Sequence, residues 1–86
     1  MDKNPILIVD DETHIRLTLS AAVYPMDHRV DTAADGEEAL AKIELQPYDL
    51  VLLDLKMPGM NGMEVLRRLA DRHPEVPVVV FTARGN

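Results

Sequence analysis

Three short apolar runs in this chain each stop abruptly at a polar residue. Ile6-Leu7-Ile8-Val9 ends at Asp10-Asp11, Leu50-Val51-Leu52-Leu53 ends at Asp54, and Val78-Val79-Val80-Phe81 ends at Thr82. A strand with one solvated face alternates apolar and polar residues. A continuous run marks a strand buried on both faces, as in a parallel sheet covered by helices. The stretches between the runs have helical period. Thr13 to Val23 places Ile15, Leu19, Ala22 and Val23 on one face, with Leu17 and Ala21 off it and Pro25 as the stop. Arg29 to Ala34 reads as a further short strand. Asp35 with Glu38 forms a capping box at the start of a second helix, whose buried stripe is Ala39, Leu40 and Ile43 and which Pro47 ends. Glu37 and Glu38 also suit the positive end of that helix's dipole.

After Asp54 the run Met57-Pro58-Gly59-Met60-Asn61-Gly62 is dense in turn formers. A third helix follows, with Met63, Leu66, Leu69 and Ala70 expected inward, Arg67, Arg68, Asp71 and Arg72 outward, and His73-Pro74 as the terminator. The order strand–helix–strand–helix–strand–helix–strand predicts an α/β fold with an open parallel sheet and right-handed crossovers. Eighty-six residues allow one small domain at most, and no linker, repeat or low-complexity tract divides residues 1–86.

Parallel strands place all their C-terminal ends on one edge of the molecule, where ligands of open α/β sheets bind. Asp10, Asp11 and Asp54 would therefore share one site with Thr82 beside them. Carboxylates brought that close raise one another's pKa unless a cation intervenes. A hard divalent ion with oxygen ligands answers this, and Mg²⁺, which keeps several waters and meets phosphates, fits best. A carboxylate in such a site can also act as a nucleophile and form an acyl phosphate. Read singly, each residue has an ordinary explanation: Asp10 or Asp11 as a helix cap, Asp54 as a strand-end turn residue, Thr82 as a strand residue, Asn61-Gly62 as a turn. Acids ending two apolar strands and a hydroxyl ending another make the joint reading. Met57, Met60 and Met63 read as packing residues and Arg67-Arg68 as a solvated face. His14, His28 and His73 lack metal-ligand spacing.

Composition narrows the partners. Nine basic against fifteen acidic residues give a net charge of −6, which argues against direct nucleic-acid binding by this chain. There is no cysteine, so thiolate chemistry and disulfides are excluded. No signal peptide is visible and no apolar stretch nears the roughly 18 residues of a membrane span. A cytoplasmic setting, without membrane contact, is the expectation.

Ile6 to Glu12, Asp35 to Leu40, Asp49 to Gly62, and Val78 to Ala83 closely resemble, in order and spacing, the response-regulator receiver domains of bacterial two-component signalling. The resemblance implies a flavodoxin-like receiver fold that lacks the last helix-strand-helix portion, with strand order 2-1-3-4. It implies that Asp54 accepts a phosphoryl group from the phosphohistidine of a sensor histidine kinase. Asp10 and Asp11 would bind Mg²⁺ with Asp54 and the backbone carbonyl of Lys56. Thr82 would be the switch hydroxyl, with Ala83 its small neighbour, and Pro58-Gly59 would shape the acceptor loop. Phosphotransfer would be self-catalysed, with no separate metabolite turned over. A haloacid-type phosphohydrolase also uses a strand-end Asp with Mg²⁺, but it wants a second Asp where this chain has Lys56.

A complete receiver also carries a fifth-strand lysine at the phosphoryl group, and no residue here matches it. The expectation is a partial receiver over residues 1–86 with impaired phosphotransfer. The alternative is a non-phosphorylated interaction or self-assembly module. The fourth strand carries no charge to discourage pairing, so self-association through its edge is expected.

Overall fold

The computed structural model describes residues 3–23, 28–57 and 61–81. In chain order it contains β1 (Ile6–Val9), α1 (Thr13–Val23), β2 (Val30–Ala33), α2 (Gly36–Leu45), β3 (Leu50–Asp54), α3 (Gly62–Arg72) and β4 (Val78–Phe81). The strands form one parallel sheet in the order β2-β1-β3-β4. This is the expected receiver arrangement of strands. The switch from leftward to rightward winding falls between β1 and β3, where Val9 pairs with Leu53. Asp10 and Asp54 therefore leave neighbouring strands at the same level.

Side chains alternate across the sheet, so the apolar runs serve two cores. Leu7, Val9, Val51 and Leu53 pack with Ala39 and Ile43 of α2 and Val65 and Leu69 of α3. Ile6 and Ile8 are equally buried but face the other way, where α1 lies against β1 and β2. Every residue of β1 is buried, as its uninterrupted apolar run requires. α1 has the predicted bounds, and Val23, Ile15 and Leu19 are its most covered apolar side chains, whereas Ala22 lies in solvent.

The structure corrects several expectations. β2 is shorter than Arg29 to Ala34, because Arg29 and Ala34 lie outside its ladder with β1. In the cap of α2, Asp35 Oδ1 accepts from Glu38 N at 2.8 Å, as expected. Glu38, however, reaches past the cap residue to the N–H of Ala34 at 2.9 Å. On α3 the inward stripe is Gly62, Val65 and Leu69, with Leu66 half-buried. Met63 is 52% exposed and Ala70 is exposed. The shift follows from the helix start: Asn61 is the N-cap, its Oδ1 accepting from Glu64 N at 2.9 Å, so Gly62 rather than Met63 meets the sheet. β4 is not fully buried: among the described residues it pairs with β3 alone, and Val79 and Val80 are 51% and 42% exposed. Pro25, Pro58, Gly59 and Met60 lie outside the described residues.

Candidate acidic site at the sheet edge

Asp10 and Asp54 are fully buried at the ends of β1 and β3. Asp11 sits beside them and is more open to solvent. One carboxylate oxygen from each of the three lies within 4.8 Å of the others. This is the convergence that the strand ends predicted. Local hydrogen bonds fix the two buried acids. Asp10 Oδ1 accepts from Glu12 N at 2.8 Å, and Asp54 Oδ1 accepts from Lys56 N at 3.0 Å. The ordinary reading of Asp54 as a strand-end turn residue thus holds together with the joint one, while Asp10, read singly as a helix cap, instead bonds the N–H of Glu12, ahead of α1. Met57, next along, is buried in the core.

Burial, more than any other factor, pushes the Asp10 carboxyl above its ordinary pKa. The Glu12 N–H works against this, while the charge of Asp54, a hydrogen bond with Asp54 and the charge of Asp11 add to it. Three hard oxygen donors crowded with like charge form a donor set that fits a hard divalent cation and suits a soft one poorly. Bringing them together without a cation is unfavourable, and a bound cation reverses the sign of that interaction.

Two contacts escaped the sequence reading. Arg16, one turn into α1, donates from Nη1 to the backbone carbonyl of Asp10 at 2.6 Å and from Nη2 to Thr13 Oγ1 at 3.1 Å. Nothing in helical period singles out an outward-facing arginine that folds back over its own N-terminus. Gly62 N donates to Leu55 O at 3.2 Å, pressing the start of α3 onto the end of β3. The turn reading of Asn61-Gly62 found the chain reversal but not this contact. Thr82 and Ala83, predicted beside the acids, lie outside the described residues. A groove of about 450 Å³ opens at the opposite edge of the sheet, bordered by Glu44, Tyr48 and His73. The acids do not line it.

Residues 6–86 match the response regulator receiver domain. The chain belongs to the response-regulator receiver family. Receivers are phosphoryl-accepting signalling domains that carry out their own phosphotransfer. The chain is 42% identical over 80 residues to the transcriptional regulatory protein TcrA of Mycobacterium tuberculosis, covering 93% of this chain and 32% of that protein. It is 40% identical over 84 residues to the transcriptional regulatory protein ResD of Bacillus subtilis, covering 98% of this chain and 35% of that protein. The receiver thus spans about a third of these relatives' length. Among solved structures, the response regulator TrrA of Thermotoga maritima in complex with Mg²⁺-BeF superposes with a TM-score of 0.89 at 39% identity, covering 95% of this chain and 71% of that one. A CheY-like receiver domain protein of Methanospirillum hungatei gives 0.90 at 33% identity, covering 99% of this chain and 68% of that one. No helix among the described residues is long and apolar enough to cross a membrane.

Proposed function

We propose that residues 1–86 act as one receiver unit in which Asp54 accepts a phosphoryl group from the phosphohistidine of a sensor histidine kinase. The observation that carries this reading is the convergence of Asp10, Asp11 and Asp54 at the C-terminal edge of a receiver sheet. An Asp54 carboxylate oxygen attacks phosphorus, the P–N bond breaks with its electron pair going to the ring nitrogen, and the histidine leaves as the neutral imidazole, its ring having taken a proton from solvent. The product is an acyl phosphate on Asp54, which water later hydrolyses. Asp10, Asp11, Asp54 and the carbonyl of Lys56 would hold Mg²⁺, an assignment supported by the Mg²⁺-BeF complex of the similar TrrA. Bound there, the cation supplies charge compensation for the transferring group. The Lys56 N–H on Asp54 Oδ1 helps to orient the carboxylate. We assign the switch hydroxyl to Thr82 and the neighbouring small position to Ala83, from their place after β4.

The test is intact mass after incubation with acetyl phosphate, with and without Mg²⁺, alongside Asp54→Asn. One Mg²⁺-dependent phosphoryl adduct, absent from the variant, is expected. No adduct in a chain that still binds Mg²⁺ would overturn the acceptor reading. A cytoplasmic location follows from this partnership with a kinase's phosphohistidine, and fractionation checks it.

A second reading, self-assembly, is favoured by the exposed valines of β4. Pairing of two β4 edges would cover them, and the unpaired N–H and C=O groups of an edge strand template such pairing. Sedimentation of the 86-residue chain across a concentration series decides it. A species that stays monomeric throughout removes this reading.

A further inference from the structure

We propose that Arg16 is a positioning residue of the acid site, holding the β1–α1 turn so that Asp10 and Asp11 present their oxygens to a divalent cation. The inference deepens the phosphoacceptor reading and rests on it. The guanidinium spans the turn. Its Nη1 meets the carbonyl of Asp10, the residue that leaves β1, at 2.6 Å. Its Nη2 meets the hydroxyl of Thr13, the first residue of α1, at 3.1 Å. Asp11 lies between these two anchors. From within the turn, Glu12 N ties back to Asp10 Oδ1 at 2.8 Å. Upstream, Asp10 N is tied to Ala33 O at 3.1 Å. The backbone on both sides of Asp11 is therefore held, and its carboxylate starts from a fixed Cα.

A guanidinium can do this because its donors form a rigid planar fork that meets two acceptors at once. A lysine ammonium keeps the charge but is a point donor on a flexible stem. Outer partners that orient ligating groups commonly govern metal affinity as strongly as a lost contact does. Arg16 bonds to backbone and hydroxyl oxygens, so its effect is on where the acids sit, and it touches no reacting atom.

The experiment compares wild type with Arg16→Lys, Arg16→Gln and Thr13→Val by two-dimensional ¹H–¹⁵N NMR. Without metal, the Glu12 amide reports the turn. With added Mg²⁺, the same spectra give its dissociation constant. Both Arg16 variants are expected to displace the Glu12 amide and to weaken Mg²⁺ about tenfold or more. Thr13→Val, which removes one anchor, is expected to move both readouts the same way by less. Phosphorylation by acetyl phosphate is expected to need more Mg²⁺ in the variants and to reach the wild-type rate at saturation. Arg16→Lys with wild-type Mg²⁺ affinity and an unmoved Glu12 amide would overturn the proposal, since charge alone would then suffice. If Arg16→Lys does not fold, a Thr13→Val chain with both readouts unchanged overturns it equally. Wild type that binds no Mg²⁺ would sink the metal reading, while the metal-free Glu12 amide would still decide whether Arg16 holds the turn.

Discussion

Gly62 backs directly onto Asp54: a Cβ at position 62 would lie 2.4 Å from the Asp54 carbonyl oxygen and 2.4 Å from the Leu55 Cα. Both neighbours are backbone, so neither can swing aside. The start of α3 and the end of the acceptor strand are thus one packed unit, and only a residue without a side chain fits between them.

Gly62→Ala sets two effects against each other. Alanine favours a helix over glycine by about 1 kcal/mol at interior positions, and by less at a first turn. Overpacking in a close-fitted site costs about 1–3 kcal/mol, and contact with rigid backbone belongs at the upper end. The clash wins. A lower urea midpoint and a lower yield of acetyl-phosphate adduct on Asp54 are expected. An unchanged or raised midpoint would show that α3 can withdraw from the loop.

Asp10→Asn separates stability from metal binding. The folded state raises the Asp10 pKa above its ordinary 3.8, chiefly by burial. A raised carboxylate costs stability once it ionises. In metal-free protein this penalty is absent below the unfolded value and grows as pH rises through the folded one. Asp10→Asn removes it, so the variant's thermal midpoint in EDTA at neutral pH should exceed that of wild type. Added Mg²⁺ should reverse the ranking. At a hundredfold excess over its dissociation constant, a cation binding only the folded state adds about 2.7 kcal/mol. The variant, with a ligand lost, should gain far less. A variant that is less stable in EDTA would mean the carboxylate is already compensated.

Tyr48 provides a pH probe far from the acids. Its hydroxyl donates to Asp31 Oδ2 at 2.7 Å and accepts from Gln46 Nε2 at 3.1 Å. Burial first, then Asp31, pushes its pKa from 10.0 up to about 12. The stability it contributes is complete below the unfolded pKa and is lost as pH rises through the folded one. In a Tyr24→Phe background, phenolate absorbance should appear near pH 12 in native protein and near 10 in urea. Native titration near 10 would show that the Tyr48–Asp31 contact does not form.

Sequence made the sheet legible because buried parallel strands carry an unbroken apolar run, and β1 and β3 do. The carboxylates at their ends followed from topology alone, since parallel strands share a C-terminal edge. β4 carries the same kind of run and is half-exposed, because a run of valines reports what a strand would prefer to bury and not what covers it. The α3 stripe was misplaced by the first residue of the helix. Which of Gly62 and Met63 meets the sheet depends on the Asn61 cap, and turn-forming residues leave that register open. Arg16 was invisible for a related reason. Its role depends on a side chain folding back to a carbonyl, and residue spacing encodes no such direction.

The corrected α3 stripe makes the last prediction. Leu69 is 1% exposed and packs with Val9, Val51 and Leu53, whereas Met63 is 52% exposed. Leu69→Ala removes buried methyl groups and leaves a cavity, at about 2–5 kcal/mol. Met63→Ala, at the surface, should stay within about 0.5 kcal/mol. At ordinary specific stability, about 0.05–0.15 kcal/mol per residue, a chain of 86 residues holds roughly 4–13 kcal/mol, so the larger loss is a large share of the whole. Leu69→Ala should therefore unfold at a much lower urea concentration than wild type. Because α3 also carries Gly62 against Asp54, its loosening should reach the site: partial denaturation by urea and loss of the Asp54 adduct should proceed together in this variant. Matching urea curves for the two substitutions would place Met63 and Leu69 on the same face and return α3 to the register that its sequence first suggested.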